Sequence, residues 1–198
     1  PMTNNLPIDI KDIYLKIKET LIESRKQTYT AVNSAMVQTY WQIGRIIVEH
    51  EQNGNLRAEY GKAILEKLSE QLTEEFGKGF DIRNLRNMRN FYFKFQKRNA
   101  LRSKLSWTHY RLLIKIKDDK ARNWYMEESI RSAWSSRQLE RQISTLYYER
   151  LLASKEKAPV ISEAEELTKQ VKSENFIKDP YVLEFLDLKN YPAYVNQT

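Results

Sequence analysis

Cysteine is absent from this 198-residue chain. That excludes disulfide scaffolds, thiolate zinc sites, iron–sulfur clusters and cysteine nucleophiles, and it suits a reducing cytoplasm, the expected compartment. Glycine and proline are scarce, five of each, so collagen-like and flexible low-complexity chains are excluded and a helix-rich chain is favoured. No apolar run nears the ~18 residues a membrane span needs. The N-terminus also lacks the charged-then-apolar layout of a secretory signal, so no membrane is expected as a partner. Histidine occurs only at His50 and His109. Neither has a second histidine at ligand spacing, so both read as structural and no metal or other cofactor is expected.

Acid is missing where base is most abundant. The net charge is +7, yet residues 1–82 and 151–198 are each net −2 while residues 83–150 are net +11. From Arg83 to Lys117 there are eleven Lys or Arg and no Asp or Glu. A generic solvated surface mixes signs to limit self-repulsion, so a single-sign stretch points to an anionic partner, nucleic acid first. The alternative is an excess compensated in three dimensions by the acidic flanks.

Apolar spacing predicts helices throughout. Ile10, Ile13, Tyr14, Ile17 and Leu21 mark one over 7–25. Val32, Met36, Tyr40, Ile43 and Ile47 mark a second over about 28–51, stopped by Asn53-Gly54. A third runs over about 61–76 on Ile64, Leu65, Leu68 and Leu72. Gly77-Lys78-Gly79-Phe80 then forms a turn, and Asp81 caps a fourth helix to about Phe95. Three shorter helices follow, opened by Ser106 or Thr108, Asp118 or Asp119, and Ser135 or Ser136. No alternating strand pattern occurs, so the expected class is all-α, a multi-helix domain with one or two helix-turn-helix-like units. Residues from about Ala153 to Asn175, polar and holding Pro159, read as a linker. Asp179 to Leu186 reads as a short apolar helix that docks on a neighbour outside the chain. The expected organisation is an N-terminal helical pair over 1–52, a helix-turn-helix-like DNA-binding region over 53–152, and a linker with its short helix over 153–198.

The fourth helix carries the sharpest signal. Advancing about 100° per residue from Ile82, the residues Arg83, Arg86, Asn87, Asn90, Lys94, Lys97 and Arg98 share one arc of about 40° to 160°. Leu85, Met88, Phe91, Tyr92 and Phe95 occupy the opposite side. Arg pairs bidentately with guanine and Asn with adenine in the major groove, while Lys suits phosphates. A helix, a glycine turn and a second helix with such a face follows the helix-turn-helix plan, whose second helix enters the groove by its N-terminal end. That plan puts Arg83, Arg86, Asn87 and Asn90 nearest the bases, and Lys94, Lys97 and Arg98 nearer the backbone. Lys115, Lys117, Lys120, Arg122, Arg131, Arg137 and Arg141 would add phosphate contacts from a second such unit. The competing reading is a solvated helix, but such helices ordinarily interleave Glu with Lys, and this one has no acid after Asp81. The four tryptophans sit beside apolar positions and read as core.

No catalytic constellation stands out. The stretch from Gly54 to Lys62 departs from a phosphate loop in spacing and has Ala63 where a hydroxyl should bind magnesium. Asp179-Pro180 followed by Asp187-Leu188-Lys189 looks like a magnesium-nuclease site but falls in a helical segment without converging strands.

Several blocks form a recognisable ordered set: Tyr40-Trp41-Gln42-Ile43-Gly44-Arg45-Ile46, Ala58-Glu59-Tyr60-Gly61, Glu75-Phe76-Gly77-Lys78-Gly79-Phe80 and Arg83-Asn84-Leu85-Arg86-Asn87-Met88-Arg89. Phe91-Tyr92, Leu105-Ser106-Trp107-Thr108-His109, the run from Trp134 to Ile143, and Asp179 to Leu186 complete it. Over roughly residues 12–190 the chain resembles the N-terminal domain of YhcG-like bacterial proteins. The resemblance implies a helical DNA-binding region joined to a C-terminal PD-(D/E)xK nuclease domain, whose catalytic carboxylates would lie beyond Thr198. It also implies a bacterial or phage source and a role near restriction or mobile DNA. The family region has been described as winged-helix-like. Without strands for a wing, the expectation here stays plain helix-turn-helix. The function expected is a non-catalytic DNA-binding module with duplex DNA and its own nuclease domain as partners. The alternative is a protein-interaction or homodimerisation module without DNA contact.

Overall fold

The computed structural model describes residues 10–53, 58–96, 104–169 and 180–186. Helix α1, Ile10–Asn53, is one rod of 44 residues, where the sequence predicts two helices parted near Ser24–Thr28. That stretch holds no Gly or Pro. Hydroxyls there bond backwards within the helix: Thr28 Oγ1 donates to the Ser24 carbonyl at 3.0 Å and Thr30 Oγ1 to that of Lys26 at 2.9 Å. From Ile10 to Thr28 every residue is exposed, and burial begins only beyond Tyr29.

The second half of α1 is the spine of the core. Met36, Val37, Tyr40, Trp41, Ile47 and Val48 are buried at helical spacing. Helix α2, Ala58–Phe76, is followed after a 3-10 turn at Lys78–Phe80 by α3, Ile82–Lys94, against which it packs. The α1–α3 packing depends on Gly44, because a Cβ there would stand 2.1 Å from the Met88 carbonyl oxygen and 3.1 Å from Tyr92 Cβ. Trp41 Nε1 donates to the Phe95 carbonyl at 2.7 Å, and Asn33 Nδ2 to that of Leu105 at 2.9 Å. These bonds from α1 hold both sides of the connector between α3 and α4.

The remaining helices are α4, Trp107–Leu113; α5, Asp119–Arg131; α6, Ser136–Ser144; α7, Tyr147–Ala153; α8, Lys157–Lys169; and α9, Pro180–Phe185. Three sequence-predicted caps are present: Ser106, Asp118 and Ser135 each accept from a backbone N–H in the first turn. The Ser106 cap is a box closed by His109, whose Nδ1 accepts from the Ser106 N–H at 3.2 Å while Nε2 faces the Trp134 carbonyl at 2.9 Å. His109 is therefore structural. Among the described residues there is no strand, and the chain is all-α.

Two expectations about the C-terminal part need correction. Helix α8 occupies much of the segment read as linker. Pro159 falls in its first turn, where no N–H is needed, and Ala164 faces the core. Buried Gln142 holds α8 by donating to Ala164 O and Thr168 Oγ1, both at 2.8 Å. The apolar helix α9, expected to dock outside the chain, packs on this domain. Val182 is buried, and Phe185 meets Tyr40 edge-on with centroids 6.1 Å apart.

Gly44→Ala should destabilise the fold by about 2–3 kcal/mol, the scale of overpacking a tight contact. Gly61→Ala, whose Cβ would meet only Glu51 Oε1 at 3.5 Å, should be neutral or stabilising by up to ~1 kcal/mol. Urea denaturation of the two variants checks both.

Candidate nucleic-acid interface

The turn before α3 is built by its glycines. Gly77 has φ 90°, a left-handed conformation that a side chain would strain, and it ends α2. Gly79 is buried, and a Cβ on it would stand 3.2 Å from Glu184 Cγ in α9. Asp81 then caps α3 by accepting the Asn84 N–H at 2.7 Å. Buried Asn84 ties three elements together. Its Nδ2 donates to the Gly79 carbonyl, and its Oδ1 accepts from Trp107 Nε1 at 3.2 Å.

With the back of α3 fixed by Leu85, Met88, Phe91 and Phe95, all at most 3% exposed, the polar face must point outward. Arg83, Arg86 and Asn90 are exposed, and Asn87 and Lys94 half-buried, on that one helix. Arg83, Arg86 and Lys94 make no ion pair among the described residues. Arg89, off this face, is committed to Glu51 at 2.7 Å. Lys97 and Arg98 lie outside the described residues.

Arg83 and Asn87 line a cavity of about 330 Å³ with Lys78 and Arg111. Burial pushes the Arg111 guanidinium below its ordinary range, and the nearby Arg83 charge adds to this while Asp81 opposes it. Its Cζ lies over the Tyr181 ring of α9, 4.9 Å from the ring centroid. Sequence reasoning passed over Arg111 and Lys78. The acid-free run and the two flanking glycines were the available signals, but neither locates a cavity.

Lys115 follows α4, and Arg137 and Arg141 stand one turn apart on α6. All three are exposed. Among the described residues, none of the three lines the cavity shared by Arg83 and Asn87. Arg122 is not a free phosphate contact: it is buried, bonding the Ile116 carbonyl at 3.1 Å and Asp119 at 2.6 Å. Arg131 pairs with Glu128. Trp41, Trp107 and Trp134 are buried, so they are core as predicted. No three His, Asp or Glu converge in metal-binding geometry among the described residues. Asp179, Asp187 and Lys189 lie outside them. No described helix is long and apolar enough to cross a membrane.

This is an all-helical domain presenting a cationic and amide-bearing helix face over an aromatic core. The chain belongs to the family of the DUF1016 N-terminal domain, whose model matches residues 16–150. It is 36% identical over 203 residues to the Escherichia coli (strain K12) protein described as "Putative nuclease YhcG". That alignment covers 86% of this chain and 54% of the relative, so the chain spans about half the relative's length. No solved structure matches it.

Asn84→Ala should cost about 2 kcal/mol, because it strands the buried Trp107 N–H and the Gly79 carbonyl. Thermal unfolding followed by tryptophan fluorescence reads this directly.

Proposed function

We propose that this chain is a non-catalytic DNA-binding module of a PD-(D/E)xK nuclease, with helix-turn-helix geometry over α2, the glycine turn and α3. The observation that carries the reading is the outward face of α3. It has three Arg or Lys without ion pairs and two asparagines, no carboxylate, and a back packed too tightly for the helix to rotate. In this reading Arg83, Arg86, Asn87 and Asn90 meet base edges, while Lys94, Lys97 and Arg98 meet the backbone. Lys115, Arg137 and Arg141 add phosphate contacts. In this reading a metal-dependent catalytic domain is joined C-terminal to this region and acts in the cytoplasm, and the relative's description as a nuclease supports the nuclease part of it. The catalytic carboxylates belong to that domain and not to this chain.

A second reading, compatible with the first, is self-association through the N-terminal arm of α1. Ile10, Tyr14, Ile17 and Leu21 are between 52% and 78% exposed. Their 4-3-4 spacing is that of a two-stranded coiled-coil seam. At about 1.5 Å per residue the arm reaches roughly 30 Å, enough for about three heptads. The occupant is a second copy of this chain, since two-fold readers match two-fold DNA sites.

Fluorescence anisotropy with labelled duplex should show binding whose affinity falls steeply with salt, each phosphate contact contributing about 0.9 to the log–log slope. The folded triple variant Arg86→Ala, Asn87→Ala, Asn90→Ala should lose discrimination between duplex sequences, while Lys94→Ala weakens all duplexes alike. Binding that ignores salt would sink the DNA reading. For the arm, light scattering after size exclusion should give a dimer that Ile17→Glu with Leu21→Glu converts to monomer. A wild-type monomer at high concentration would sink that reading.

A further inference from the structure

Beside the exposed face of α3 lies a recessed site whose Lys78 and Arg111 the reading above does not use. The cavity of about 330 Å³ at the start of α3 gathers Lys78 from the glycine turn, Arg83 and Asn87 from α3, Arg111 from α4, and Tyr181 and Glu184 from α9. We propose that it binds one phosphate of the nucleic-acid backbone, with Arg111 and Lys78 as the cations that hold it. The proposal rests on the reading of α3 as a DNA-contacting helix.

Four observations carry it. Cations from three separate elements converge on one concavity, and a half-buried Arg111 is held there against the repulsion of Arg83, an arrangement that an anion would relieve. Arg111 Nε is buried without a hydrogen-bond partner, so the guanidinium has donor capacity its surroundings do not use. Arg111 Cζ sits 4.9 Å from the Tyr181 ring centroid, a cation–π contact that steadies the guanidinium at the site. The Asn87 amide lines the same wall as a neutral donor. Of the two carboxylates present, Asp81 is committed as the cap of α3 at 2.7 Å from the Asn84 nitrogen. Glu184, brought in by α9, is the charge that an incoming phosphate would oppose.

A phosphate fits this site better than a base edge. Arg111 is recessed and held at the Tyr181 ring, so it does not extend with Arg86 and Asn90, which are exposed. Lys78 acts as a point charge, which suits phosphate. The site would anchor the end of α3 that the helix-turn-helix plan inserts into the groove.

The test uses the full 198-residue chain and a fixed labelled duplex, with affinity measured across a salt series and folding checked by circular dichroism. Arg111→Met should weaken binding roughly tenfold and lower the salt slope by about one. Tyr181→Leu, which removes the ring contact but keeps the cations, should leave the slope unchanged. Glu184→Gln should tighten binding several-fold. The slope separates a lost phosphate contact from a merely structural role. If folded Arg111→Met keeps the wild-type slope while the Arg86/Asn87/Asn90 variant loses sequence discrimination, the phosphate site is overturned and the α3 reading stands. If the wild-type chain binds no duplex, both fall. Should Arg111→Met not fold, Glu184→Gln decides: several-fold tighter binding supports the site, and unchanged affinity overturns it.

Discussion

Everything on the exposed side of this domain depends on how closely α3 lies against α1. Gly44 removes the one side chain that would hold the two apart, and the Met88 carbonyl and Tyr92 Cβ occupy the space. That approach lets Met88 and Phe91 bury completely and sets Trp41 against Tyr92 with ring centroids 5.1 Å apart. The aromatic cluster then continues outward, from Phe91 to Trp107 at 5.3 Å and Tyr110 at 4.7 Å. Such edge-on and tilted contacts are directional as well as apolar. A helix held this way has a fixed rotation, and its opposite face is fixed with it.

The rotation matters because α3 receives little help from its own surface. A helix with interleaved acids gains a few tenths of a kcal/mol from each i,i+4 pair. Apart from Phe93, the outward side chains of α3 are Arg, Asn and Lys, and the salt bridge it does make, from Arg89, reaches Glu51 on α1. Mutual repulsion among those cations must be offset by the buried back and by the Asp81 cap. Stability is therefore concentrated in residues that cannot meet a ligand, which leaves the facing residues open to selection for contact alone.

Much of this was legible in the sequence, for identifiable reasons. The period of Leu85, Met88, Phe91 and Phe95 specified both faces of α3, and the caps at Asp81, Ser106, Asp118 and Ser135 were readable because a short polar side chain before an apolar run has a local role. Reading failed where tertiary partners decide. Ser24 and Thr28 look like boundary residues, yet their helix continues because nothing local breaks it. The polarity of 157–169 suggested a linker, but Gln142, 22 residues from Ala164 in sequence, supplies the hydrogen bonds that dock α8. The phosphate candidate was illegible for the same reason, since Lys78, Arg111 and Glu184 meet only once α4 and α9 have packed around the turn.

The placement of α9 adds a further element to the turn that opens α3. Phe185 enters the core at Tyr40, while Tyr181, one turn earlier, and the adjacent Glu184 border the cavity at the start of α3. A segment anchored at one end in the spine and touching the proposed reading end with the other cannot shift without disturbing both. Its charge acts in the same place, because Glu184 is the one carboxylate there not engaged in capping α3. Within this fold, the proposed step from helix packing to anion recognition thus runs through a six-residue helix whose apolar side stabilises the core and whose polar side would set how readily a phosphate is accepted.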